Sequence, residues 1–121
     1  MTTKKIRITG LVVFAAIVLI FVLHSYLSWS KIFEPNRWKY ATEAARAAMT
    51  DDLMGRRLVL GRSEAEVQLL LGRPDKSSRE PGRTMFEYDL GPQPEGFPID
   101  HEWLVIEFGD GVALRQYRAR D

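Results

Sequence analysis

Gly55, Gly61, Arg62 and Ser63 (GRRLVLGRS) are spaced almost like the phosphate-gripping loop G-x-x-x-x-G-K-S. In that loop bare backbone amides surround the phosphate oxygens and a lysine reaches in. Here five residues rather than four separate the glycines, Arg62 replaces the lysine, and Leu58-Val59-Leu60 occupies the turn that must present amides. His101-Glu102 opens like the zinc motif H-E-x-x-H, but position 105 is Val105, and the other histidine, His24, lies in an apolar segment. No metal site is expected. Ser63 lacks the G-x-S-x-G elbow that exposes a serine nucleophile. The chain has no cysteine, which removes thiol nucleophiles, thiolate zinc, disulfides and the lipid-attachment cysteine of bacterial lipoproteins.

Carboxylates are the remaining candidates for chemistry. Glu87, Asp89, Glu95, Asp100, Glu102, Glu107 and Asp110 crowd a span from Thr84 to Leu114 that contains no Lys or Arg. Their spacing reads as a solvated face, with a cation or basic-partner site as the alternative. Asp51-Asp52 and Arg56-Arg57 read as surface charge. Nothing in these patterns calls for a cofactor, a small-molecule substrate or an enzymatic reaction.

Charge placement removes nucleic acid from the set of partners. The formal net charge is +1, but three of the 17 Lys and Arg (Lys4, Lys5, Arg7) precede residue 10. From residue 31 onward 14 bases face 16 acids, a balance of −2, so the basicity flanks the apolar segment and the electrostatic footprint of a nucleic-acid binder is missing.

That segment is the first positioning element. Leu11 to Leu23 is an uninterrupted apolar run, and Gly10 to Trp29 gives 20 residues with one readily ionisable side chain, His24. As a helix it spans about 30 Å, the thickness of a hydrocarbon core. Tyr26, Trp29 and Phe33 follow at helical spacing, as interfacial aromatics do. A cleaved signal peptide is the competing reading, but its cut needs small residues at the third and first positions before it. The nearest pair, Ser28 and Ser30, flanks the bulky Trp29. The expectation is an uncleaved anchor with tail over residues 1–33, N-terminus cytoplasmic, and a domain over 34–121 outside the cytoplasm.

Within the domain, Asn36 is placed to cap a helix running through the Ala-rich stretch to Gly55, with Trp38, Ala41, Ala45, Ala48 and Met49 on its buried face and Lys39 and Glu43 paired on the other. Ser63 and Glu66 form a capping box for a second helix. Val67, Leu70 and Leu71 are its buried stripe, and Gly72 and Pro74 stop it. From Thr84 the period becomes two: Phe86, Tyr88 and Leu90 point inward, then Leu104, Ile106 and Phe108, with Gly91 to Asp100 as a loop between the strands. Gly109-Asp110-Gly111 predicts a three-residue hairpin loop that pairs Phe108 with Val112, Ile106 with Leu114 and Trp103 with Tyr117. A two-residue turn sets Ile106 opposite Arg115, so the first register is preferred. The fold class is α+β: two helices on a three-stranded antiparallel sheet.

In that register the outer sheet face gathers Met85, Trp103, Val105, Ala113 and Tyr117, edged by Glu87, Glu107 and Arg115. Aromatic anchors inside a charged rim describe a recognition patch. The candidate partner-binding residues are Met85, Trp103, Val105, Arg115 and Tyr117, with Phe97 of the neighbouring loop. The alternative is that this loop, or the membrane-proximal segment, simply covers the face.

Leu60-Gly61-x-Ser63-x-x-Glu66-Val67-x-x-Leu70-Leu71-Gly72-x-Pro74, the strand Phe86-Glu87-Tyr88, and Leu104-Val105-Ile106-x-Phe108 with Gly111-Val112 resemble the SmpA/OmlA (BamE-like) domain over about residues 36 to 118. The resemblance implies two helices packed on a three-stranded sheet, a fold shared with beta-lactamase-inhibitor proteins. It also implies a non-enzymatic bacterial envelope protein, the best-known relative being a lipoprotein accessory of the outer-membrane barrel-assembly machine. The sequence departs from that pattern in lacking the lipobox cysteine and keeping a membrane-length segment. The implied function is a tethered protein-binding or scaffold module of the inner membrane, serving envelope or outer-membrane protein assembly. The alternative from the shared fold is an inhibitor or regulator of an extracytoplasmic hydrolase.

Overall fold

The computed structural model describes residues 2–93 and 100–121, so Phe97 lies outside the described residues. The chain forms two compact units, Met1–Ser30 and Lys31–Asp121. The first is one helix, α1 (Thr2–Ser30). Its stretch Arg7–Ser30, 24 residues, is long and apolar enough to cross a membrane.

The second unit opens on α2 (Pro35–Lys39), a single turn capped by Glu34 rather than by Asn36. Pro35 fills the first helical position, where no amide is needed. The Glu34 carboxylate then takes the Arg37 amide at 2.8 Å and the Asn36 amide at 3.1 Å. Those two bonds hold its pKa below the ordinary value. The expected single helix breaks at residues 40–42, because Thr42 caps a new helix, α3 (Glu43–Gly55), through its hydroxyl and the Ala45 amide. Threonine competes with helix continuation in this way whenever its side chain can satisfy a free amide. The break separates Lys39 from Glu43 and leaves Ala48 exposed, so the buried face of α3 is Met49, Thr50 and Leu53. Asp52 of α3 and Arg56, which caps its C-terminus, are also more than surface charge. Asp52 accepts the Phe33 amide at 2.7 Å while Arg56 donates to the Phe33 carbonyl at 3.0 Å, which seats the buried Phe33.

The next helix, α4 (Glu64–Leu71), has the expected capping box: the Ser63 hydroxyl accepts the Glu66 amide at 3.2 Å, and Glu66 accepts the Ser63 amide at 3.3 Å. Val67 and Leu71 are buried, Leu70 is half-buried, and Gly72 leaves the helix at φ 77, a value that favours glycine.

The sheet has four antiparallel strands in the order β1-β2-β3-β4: β1 (Lys76–Glu80), β2 (Arg83–Pro92), β3 (His101–Gly109) and β4 (Val112–Arg120). The expectation of three strands missed β1. Its residues KSSRE are all exposed and carry no apolar alternation, so only the two-residue Pro81-Gly82 turn and the pairing with β2 define it. Thr84, Phe86, Tyr88 and Leu90 of β2 and Leu104, Ile106 and Phe108 of β3 face the helices and build the core with Trp38, Leu53, Val67 and Leu71.

The last hairpin follows neither expected register. Asp110 (φ 51) and Gly111 (φ 84) form a two-residue turn of the type that matches strand twist, setting Phe108 opposite Ala113. A bulge then inserts Leu114, so Glu107 pairs with Arg115 and Ile106 with Gln116. Ala113 is therefore buried in the core rather than on the outer face, and Leu114 is 62% exposed rather than opposite Ile106. On the core side, Gln116 donates to the Met54 carbonyl at 2.8 Å, and Arg118 reaches the Ala47 carbonyl, Asp51 and Glu102. Deleting Leu114 removes the bulge yet leaves every other β4 side chain on its present face. We expect urea unfolding of the deletion variant, in the full chain in detergent micelles, to stay within about 1 kcal/mol of wild type. A larger loss means the bulge itself carries stability.

Candidate partner-binding face

The register stacks the outer-face residues in three rows that cross the sheet. Ser78, Met85, Glu107 and Arg115 form one, and Lys76, Glu87, Val105 and Tyr117 the next. Asp89, Trp103 and Ala119 form the third. Met85, Trp103, Val105, Arg115 and Tyr117 therefore do share one face, whereas Ala113 does not.

The face differs in chemistry from an apolar patch with a charged rim. Val105, at its centre, is 1% exposed, although α2, α3 and α4 contribute to the core on the opposite side. Trp103 and Tyr117 are half-buried, and each carries a cation: Lys76 Nζ lies 4.2 Å from the Trp103 ring centroid, and Arg115 Cζ 5.2 Å from that of Tyr117. Such stacking contributes about 0.5 to 1 kcal/mol at exposed sites and orients the cation along the ring.

Glu107 belongs to the interior of the face, not its edge. It is 8% exposed and accepts from Arg83 at 2.6 Å and the Tyr117 hydroxyl at 3.0 Å, with Arg115 at 3.3 Å. Burial alone pushes its pKa up, but the Arg83 and Tyr117 hydrogen bonds and the two guanidinium charges outweigh that and hold it below the ordinary value. Burial and the bond to Glu107 push the Tyr117 phenol up. One buried carboxylate thus fixes two arginines and a tyrosine in a single arrangement.

The base-free acidic span is resolved in the same way. Two of its carboxylates meet bases that lie outside the span, Glu107 with Arg83 and Arg115 and Glu102 with Arg118, and Glu87 sits opposite Lys76. Asp89 meets His101, with Nδ1 2.8 Å from Oδ1, and this hydrogen bond holds the imidazole above its ordinary pKa. Among the described residues no hydroxyl completes a nucleophilic triad with this pair, and Ser63 is committed to its helix cap. The Lys76–Trp103 and Arg83–Glu107 contacts were not legible in the sequence, since β1 and the start of β2 carry no apolar period to mark them.

Comparison of the chain with protein-family models, with curated proteins and with solved structures finds no match in any of the three.

Proposed function

We propose that this is a single-pass membrane protein whose domain, residues 31–121, faces the extracytoplasmic side of a bacterial inner membrane and binds another envelope protein without catalysing a reaction. The observation that carries the reading is the outer sheet face. Two aromatic rings stacked under Lys76 and Arg115 stand ready-oriented around a buried Val105, so a partner that docks there orders few side chains. The basic cluster before the apolar helix and the aromatics Tyr26 and Trp29 after it support an anchor with its N-terminus in the cytoplasm. The resemblance of Leu60 to Pro74 and the later strands to the SmpA/OmlA domain supports a scaffold role in envelope or outer-membrane protein assembly.

The test uses the full chain in native membranes with a photo-reactive amino acid at position 85 or 115. One envelope protein is expected to crosslink from both positions, and the yield should fall at least about tenfold when Trp103→Ala and Tyr117→Ala are combined. Position 69, on the exposed side of α4, serves as the control. Equal crosslinking from position 69, or a yield unchanged by the two substitutions, removes this face from consideration. Protease protection of the domain in spheroplasts and inverted vesicles decides the orientation.

A further inference from the structure

Glu43, Asp89 and His101 lie far apart in sequence and on three different elements, the first turn of α3, the end of β2 and the start of β3. One donor atom from each falls within 4.8 Å of the others. His101 Nδ1 is 2.8 and 2.9 Å from the two Asp89 oxygens. Ligand atoms held about 2.1 Å from a tetrahedral zinc lie about 3.4 Å from one another, so the histidine and aspartate need to part by only about half an ångström to become neighbouring ligands.

We propose that these three residues bind a divalent first-row transition cation, with zinc as the representative ion. The charge count favours a cation over a simple ion pair. Two carboxylates share a single imidazole, and Glu43 makes no ion pair of its own among the described residues. The surroundings are built to admit and hold them. The Gly91 amide donates to Asp89 Oδ1 at 2.8 Å, which fixes the carboxylate's orientation, as outer-shell bonds do at metal sites. A side chain at position 91 would press on Glu43, its Cβ falling 3.2 Å from Glu43 Cβ and 3.4 Å from Oε2, so the absence of one there lets the glutamate stand beside the pair. Glu43 is exposed, so its side chain is free to change rotamer toward the pair.

The donor set selects the ion. One imidazole nitrogen and two carboxylates suit zinc, manganese or cobalt. They offer no thiolate for copper(I), and too few oxygens for calcium, which takes six to eight. Three protein ligands leave open positions for water or for a side chain of another molecule. A bound ion would also fasten the first turn of α3 to the bulged end of β2 and to β3, so binding should raise the unfolding temperature.

The test is isothermal titration of the full chain in detergent micelles with zinc chloride, paired with thermal unfolding followed by circular dichroism. One saturable site is expected, with a rise in unfolding temperature. Removing an outer-shell partner already weakens metal sites by about 10 to 100-fold, so Glu43→Gln and His101→Gln should each weaken binding by at least about tenfold. His24→Gln should leave binding unchanged. Glu43 is exposed and outside the core, so Glu43→Gln remains informative even if His101→Gln fails to fold. No saturable binding at millimolar zinc, or affinity unchanged in Glu43→Gln, overturns the assignment. So does binding lost in His24→Gln.

Discussion

Trp38→Ala is expected to lower the unfolding free energy of the domain by about 4 kcal/mol. Trp38 is 0% exposed although it stands on a helix of only five residues, too short to persist unless it is docked. Its ring lies 5.8 Å from Phe33 and 6.2 Å, edge-on, from Tyr88, with the Arg46 guanidinium 5.5 Å from the ring centroid. Arg46 Nε also donates to the Trp38 carbonyl at 3.0 Å. One side chain thus joins the entry segment, α3 and β2, and its loss leaves a cavity and undocks α2 together. A domain of this size has a total stability of roughly 5 to 14 kcal/mol, so at the lower end of that range the variant sits near the unfolding threshold. Trp38→Phe separates packing from polarity. The indole Nε1 is buried without an acceptor among the described residues, and phenylalanine keeps the aromatic contacts while removing that unpaired donor. Its cost should stay near 1 kcal/mol. Urea unfolding of the full chain in micelles, followed by circular dichroism, measures both. A loss below about 1 kcal/mol for Trp38→Ala removes the ring from the role assigned to it.

Much of this core is legible in the sequence. The alternation of Phe86, Tyr88 and Leu90 and of Leu104, Ile106 and Phe108 holds, since a strand with one face on helices must alternate. The Ser63–Glu66 box with Gly72 bounds α4, since those residues act locally. What stayed hidden depends on distant partners. β1 is polar throughout and is ordered by pairing, so its sequence resembles a loop. The break before α3 is concealed by alanines that suit a helix on either side of Thr42. The bulge at Leu114 combines a tight Asp-Gly turn with a register that keeps Arg115 outward, a combination that simple period counting discards.

The candidate face shows the same division. Met85, Trp103, Val105 and Tyr117 share a face by parity, because residues two apart along one strand, and residues paired across strands, lie on the same side of the sheet. The cation over Trp103 is not legible in the sequence, because Lys76 lies on the polar strand β1, whereas Arg115 is placed on the face by its parity with Tyr117. Glu102 and Glu107 look solvated only while their partners are sought within the span from Thr84 to Leu114. His101 illustrates this best: a search for a second histidine overlooks the carboxylates of Glu43 and Asp89, which the topology brings beside it.

Glu107→Gln is expected to cost about 1.5 kcal/mol at neutral pH, and to do so with a characteristic dependence on acid. The carboxylate is nearly buried while its arginine partners are not: the Arg83 and Arg115 side chains are 53% and 68% exposed. Freed of Glu107, both can turn to water, which keeps the loss well below that of breaking a fully buried pair. The neutral amide still accepts a hydrogen bond from Tyr117 or Arg83, and what disappears is its charge-assisted strength. The folded-state pKa of Glu107 lies below its ordinary value of 4.5 because those hydrogen bonds and charges outweigh burial. The unfolded chain therefore binds the proton more readily than the folded one. The contribution is complete above the ordinary carboxylate range and is lost as pH falls through the lower, folded value. Wild type and Glu107→Gln should differ most at pH 7 and converge as pH falls below 4.5. Urea titrations stepped from pH 7 to about pH 3 read this directly. A gap that stays constant across the range shows that the shape of the side chain, rather than its charge, organises Arg83, Arg115 and Tyr117 on the outer face.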